Sequence, residues 1–64
     1  MDIAGRLQEL RKKAGYSQEQ VAELLGLSRQ AVSKWESGQG KPDIDNIVKL
    51  TEVYHVSADY ILFG

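Results

Sequence analysis

Sixty-four residues suffice for one small domain with a marginal core. The absence of cysteine excludes disulfides and thiolate metal sites, and one histidine cannot build a zinc site alone. Net charge is −1, from eight Lys and Arg against nine Asp and Glu, so the chain lacks the basic surplus that polyanion binders often carry.

Stability must therefore come from well-capped, well-packed secondary structure, with no metal or cofactor expected. Nothing alternates with period two over a strand length, and punctuation is frequent, so the spacing predicts an all-α domain. The first helix covers Ile3 to Ala14, with Ile3, Leu7, Leu10 and Ala14 on one apolar stripe and Gly15 as its stop. Ser17 and Gln20 have capping-box spacing at the start of the second helix, with Tyr16 and Val21 as a hydrophobic staple. Val21, Ala22, Leu24 and Leu25 are its apolar residues, and Gly26 ends it.

The third helix opens at once, capped by Ser28, with Leu27 and Val32 at staple spacing. Val32 and Trp35 face inward beside Ala31, and Gly38 ends the helix. Arg29, Gln30, Ser33, Lys34 and Ser37 fall on its outer face. Asp43 is the expected cap of a fourth helix with a wide apolar face of Ile44, Ile47, Val48, Leu50, Val53 and Tyr54. A fifth helix runs over 57–63, with Val56 and Ile61 as its staple; its apolar tail must be buried in part, within the domain or against a partner.

Expected core positions are Leu7, Leu10, Val21, Ala22, Leu25, Val32, Trp35, Ile47, Leu50, Val56 and Ile61. Arg6, Lys12 and Lys13 read as solvated, and Asp2, Glu36, Asp43, Asp45, Glu52 and Asp59 as acids on other surfaces. Trp35, on the inward stripe, is core rather than a stacking platform for bases. His55 reads as a helix-end residue favourable to the dipole.

The second and third helices together carry the functional signal. Two helices joined at a steep angle by a few residues need a small residue at the crossing, a glycine in the turn and an inward aliphatic to lock the second helix. Ala22, Gly26 and Val32 supply these in turn. In a helix-turn-helix the second helix enters a DNA major groove.

The whole chain resembles the Cro/cI-type, XRE-like family of bacterial and phage transcriptional regulators, most specifically in "SQEQVAELLGLSRQAVSKWESG" and "VSADYIL". The resemblance implies a compact five-helix bundle of the lambda-repressor type, one domain over 1–64, binding double-stranded DNA as a regulator and as a repressor. It implies base contacts from Arg29, Gln30, Ser33 and Lys34. It implies phosphate contacts from Gln18 and Ser28, and from the loop at Gln39, Gly40 and Lys41, whose backbone N–H groups would meet phosphate. Gln18 would also brace the third helix, and Arg11 and Glu36 would form a structural ion pair. Chemistry agrees for the readers: Arg can fork onto guanine O6 and N7, and Gln onto adenine N6 and N7.

The family usually acts as a homodimer on a two-fold operator, and Tyr60, Leu62, Phe63 and parts of the fourth helix are candidates for that contact. The chain is expected to be either a complete small regulator or the DNA-binding part of a longer one. With no apolar leader region and no run of the roughly 20 residues that span a bilayer, it reads as cytoplasmic. A protein-interaction module keeping the fold without reading DNA is the alternative, and would favour an apolar outer face on the third helix. An enzyme is the weakest reading: there is no Cys nucleophile, no glycine-rich phosphate loop and no carboxylate pair set for a cleft.

Overall fold

The computed structural model describes residues 2–64. Among these the helices are α1 (Ile3–Ala14), α2 (Gln18–Leu25), α3 (Arg29–Ser37), α4 (Ile44–Tyr54) and α5 (Ala58–Phe63), in chain order. Short polar side chains start most of them by accepting backbone N–H groups that a first turn leaves unpaired. Asp2 accepts from Gly5 at 2.9 Å, Asp43 from Asn46 at 2.9 Å and Ser57 from Tyr60 at 3.0 Å. At α2 the box closes in both directions: Gln20 N–H donates to Ser17 Oγ at 3.1 Å, and Ser17 N–H to Gln20 Oε1 at 2.8 Å.

Ser28 differs from the expectation. Its backbone has cap geometry, but its side chain makes no capping hydrogen bond. The end of α4 also has an unusual cap. His55 adopts the left-handed conformation (φ 55°) and donates its N–H to the Thr51 carbonyl.

The helices converge on Leu7, Val21, Ala22, Leu25, Val32, Trp35, Ile47, Leu50, Tyr54 and Ile61. α1 packs on α3, α4 and α5, while α2 packs on α3 and α4. Leu10 and Val56, expected within this core, are half-buried and pack against its edge. Ala14 lies exposed at the end of α1.

The wide apolar face expected on α4 is a narrow stripe. Ile47, Leu50 and Tyr54 are buried, whereas Ile44 is 80% exposed and Val48 is 51% exposed. Val48 follows Ile47 by about 100° of helical rotation, which carries it off the stripe. Leu24 is likewise exposed on α2. Of the apolar tail, Ile61 is fully buried and Phe63 is 79% exposed.

Arg6 overturns its reading as solvated: it is 6% exposed. Its Nε donates to the Ile61 carbonyl at 3.0 Å and its Nη2 to the Leu62 carbonyl at 3.2 Å. Carbonyls at a helix end lack intrahelical partners, and Arg6 satisfies two of them on α5 from the first turns of α1. No helix among the described residues is long and apolar enough to cross a membrane.

Exchanging Arg6 for Ala should lower the unfolding free energy by about 2 kcal/mol, because charged donors are removed and buried carbonyls are left unpaired. Urea unfolding checks this, and an unchanged midpoint would contradict the clamp.

Candidate nucleic-acid interface

The joint between α2 and α3 is built as its residue types demand. Gly26 sits at φ 71°, where a side chain would strain the backbone. Its N–H donates to Glu23 O at 3.1 Å, and Leu27 N–H reaches back to Ala22 O at 2.9 Å. Buried Ala22 lets the helices approach, and buried Val32 and Trp35 hold α3 to the core. α3 is thereby anchored along one side. Its other side presents Arg29, Gln30 and Lys34 exposed and Ser33 half-buried. These four side chains and Gln39 line a single open hollow.

Beneath that face lies a polar network centred on Glu36. Glu36 is 6% exposed, the buried position that the ion pair with Arg11 implied by the resemblance requires, rather than a surface position among the other acids. Arg11 grips its carboxylate with two hydrogen bonds, Nε to Oε2 at 2.8 Å and Nη2 to Oε1 at 3.0 Å. The third guanidinium nitrogen of Arg11 donates to the Tyr16 carbonyl at 2.9 Å. The hydrogen bond to Glu36 raises the Arg11 pKa above its ordinary value, so the cation persists throughout the accessible pH range.

Gln18 continues the network outward. Its Nε2 donates to Glu36 Oε1 at 3.2 Å, and its Oε1 accepts from Arg29 Nη1 at 3.3 Å. α1, α2 and the two ends of α3 are thus tied through four side chains. Tyr54 is buried near this network. Burial, then the Glu36 carboxylate, push its hydroxyl well above the ordinary phenol range.

The loop after α3 departs from the expectation that its amides face outward. Gln39 and Gly40 both turn their N–H groups to the Lys34 carbonyl, at 3.0 and 3.3 Å. Ser37 Oγ donates to the same oxygen at 3.1 Å. Those two amides are therefore spent internally, closing the end of α3. The exposed side chains of Gln39 and Lys41 remain on the loop surface, with open space where a Cβ on Gly40 would stand. At the other end of α3, the Ser28 hydroxyl is not spent as a cap and lies exposed.

A sharp glycine turn between two helices, the second pinned inward by Val32 and Trp35 and polar outward, defines a helix-turn-helix. A family model described as helix-turn-helix matches residues 7–61, and the chain belongs to that family. The chain is 42% identical over 62 residues to the HTH-type transcriptional regulator ImmR of Bacillus subtilis, an alignment covering 97% of this chain and 49% of that protein. It is 41% identical over 64 residues to the HTH-type transcriptional activator BcrR of Enterococcus faecalis, covering 100% of this chain and 31% of that one. The chain thus spans about half or less of these curated relatives. Among solved structures, the P22 c2 repressor in complex with a synthetic operator superposes with a TM-score of 0.95 at 30% identity, covering 100% of this chain and 97% of that one.

Truncating Glu36 to Ala should cost about 3 kcal/mol of stability, since it leaves the Arg11 cation largely buried without its partner. Chemical denaturation checks this, and a loss no larger than that of an exposed pair would contradict it.

Tyr54 gives a pH prediction. An unfolded tyrosine ionises near pH 10, while the folded Tyr54 stays neutral. Its contribution is present below about pH 10 and is lost as pH rises above it. Thermal unfolding across that range should therefore fall more steeply for the unsubstituted chain than for Tyr54→Phe, and parallel profiles would contradict this.

Proposed function

We propose that this chain is a DNA-binding domain spanning 1–64 that reads a specific double-stranded sequence for a transcriptional regulator, acting by repression and without a catalytic role. The observation that carries the reading is the outer face of α3. Arg29, Gln30, Ser33 and Lys34 are gathered around one hollow on a helix whose opposite side is locked into the core. The likeness to a repressor solved in complex with an operator supports DNA binding.

In this reading α3 lies in the major groove. Arg29 forks onto a guanine, Gln30 addresses an adenine, and Ser33 and Lys34 contact neighbouring base edges. Gln18, the free hydroxyl of Ser28, and the side chains of Gln39 and Lys41 hold phosphates, and Gly40 lets a strand pass close. Phosphate contacts set register, and base contacts set sequence. A protein-interaction module is the weaker reading, because the outer face of α3 is polar and cationic rather than apolar.

The working form is a homodimer on a two-fold site, in the cytoplasm. Tyr60, Leu62 and Phe63 on α5 and Ile44 and Val48 on α4 are exposed apolar residues that support a contact between two copies. The relative named as an activator makes the direction of regulation a matter for a promoter-reporter assay, in which repression requires lowered output when the protein is expressed.

Selection from a random duplex library at ~50 mM salt, where electrostatic binding is favoured, should enrich a palindromic motif with half-sites about one helical turn apart. No enrichment over bulk DNA would contradict the reading. Exchanging Arg29 for Ala should relax one base position of that motif, at about 1–3 kcal/mol of discrimination. Exchanging Lys41 for Ala should weaken all sequences alike and lower the salt slope by about one; a changed base preference would rule out a phosphate role.

A further inference from the structure

Gln39 lies outside α3, yet its side chain lines the same hollow as Arg29, Gln30, Ser33 and Lys34. The chain turns back on itself to put it there. Gly38 ends α3 in the left-handed conformation, at φ 83°. The Gln39 N–H then donates to the Lys34 carbonyl at 3.0 Å, and the Gly40 N–H to the same oxygen at 3.3 Å. Residue 39 is thus held against the last turns of α3 instead of leading away from them.

A phosphate contact fits this placement poorly. The backbone N–H of Gln39 is already committed to Lys34. Its side chain is neutral, and a neutral amide gives phosphate a weaker hydrogen bond than a cation does. Lys41, exposed two residues on, supplies that cation. A base edge fits better. A glutamine amide carries a donor and an acceptor side by side, the complement of adenine N6 and N7 in the major groove.

We propose that Gln39 is a specificity-determining residue, which reads an adenine at the flank of the site beyond Lys34 instead of holding a phosphate. This rests on α3 lying in the major groove, and it changes the role of Gln39 alone among the contacts of that reading. Arg29 opens α3 and Gln39 follows its end, so the two address opposite flanks of one half-site. The reading surface then continues past the helix that carries most of it. Because the backbone at residue 39 is tied down, binding orders only the side chain, which keeps the entropic cost low.

Gln39→Ala separates the two roles without disturbing the closure of α3. The bond to Lys34 is made by the backbone, and Gln39 has no left-handed φ to strain. Motif selection with this variant should relax a single flanking position by about 5- to 10-fold, the lower end of what one amide–adenine pair discriminates. That position should differ from the one relaxed by Arg29→Ala. In Gln39→Lys the preference at the same position should move from adenine to guanine, because an ammonium donates to guanine O6 and N7.

Both variants are read beside the unsubstituted chain, with helicity checked by circular dichroism. A folded Gln39→Ala that weakens all sequences alike, or leaves the motif unaltered, overturns the assignment while DNA reading by α3 stands. So does a Gln39→Lys that binds every sequence more tightly with an unaltered motif, the behaviour of a phosphate contact. If the unsubstituted chain selects no motif at all, the DNA-binding assignment fails and the role of Gln39 with it.

Discussion

The Glu36 carboxylate is the constraint on which the rest of the site depends. It lies beneath the outer face of α3, nearly excluded from solvent, where an unpaired charge would be costly. Arg11 neutralises it from α1 and simultaneously ties down the Tyr16 carbonyl just ahead of α2. A buried ion pair adds little stability over apolar packing of the same volume. Its contribution here is geometry: the pair defines how α3 is rotated and placed against α1 and α2. The apolar anchors Val32 and Trp35 hold α3 against the core, and the ion pair adds a directional tie between α1 and the end of α3. Through Gln18 the same carboxylate reaches the first residue of α3, so both ends of one helix answer to a single buried group.

Much of this was legible in the sequence because it is local. Ser17 with Gln20, Asp43, Ser57, and the glycines at 15, 26 and 38 are signals whose partners lie within a few residues. They gave the helices nearly to the residue. The inward residues of α3 followed from three-residue spacing, and Ala22, Gly26 and Val32 from the needs of a tight helical joint. Arg11 with Glu36 was accessible only through resemblance to a family, since nothing local links residues 25 positions apart.

The misses share that cause. Arg6 looks like one more charge in "AGRLQELRKK", and nothing nearby reports that two carbonyls of α5 wait 55 and 56 residues away. The commitment of the Gln39 and Gly40 amides to Lys34, and the uncommitted hydroxyl of Ser28, depend on how the ends of α3 close, which side-chain types alone do not specify. On α4 a run of aliphatic residues says how much apolar surface exists, while core geometry decides how much is covered: Ile47, Leu50 and Tyr54 are buried and Ile44 and Val48 are not.

Exposed apolar residues fall mainly on α4 and α5, with Leu24 on α2 and Leu27 in the turn before α3. The α3 side is polar and tightly bonded from within. Exposed Ile44, Val48 and Phe63 lie on α4 and α5. The first surface suits a hydrated, charged duplex, and the second leaves apolar area uncovered within the single chain. Arg6 links these regions, because it fixes the end of α5 against the same α1 that carries Arg11.

A crystal structure of the chain with its selected duplex tests the central claim most directly. The account predicts α3 in the major groove, the Arg29 guanidinium forked on a guanine, and the Arg11–Glu36–Gln18–Arg29 chain intact with the Gln18 oxygen toward Arg29. A complex in which another face meets the DNA, or in which α3 lies in the groove with Arg29 turned away from the bases, would contradict it.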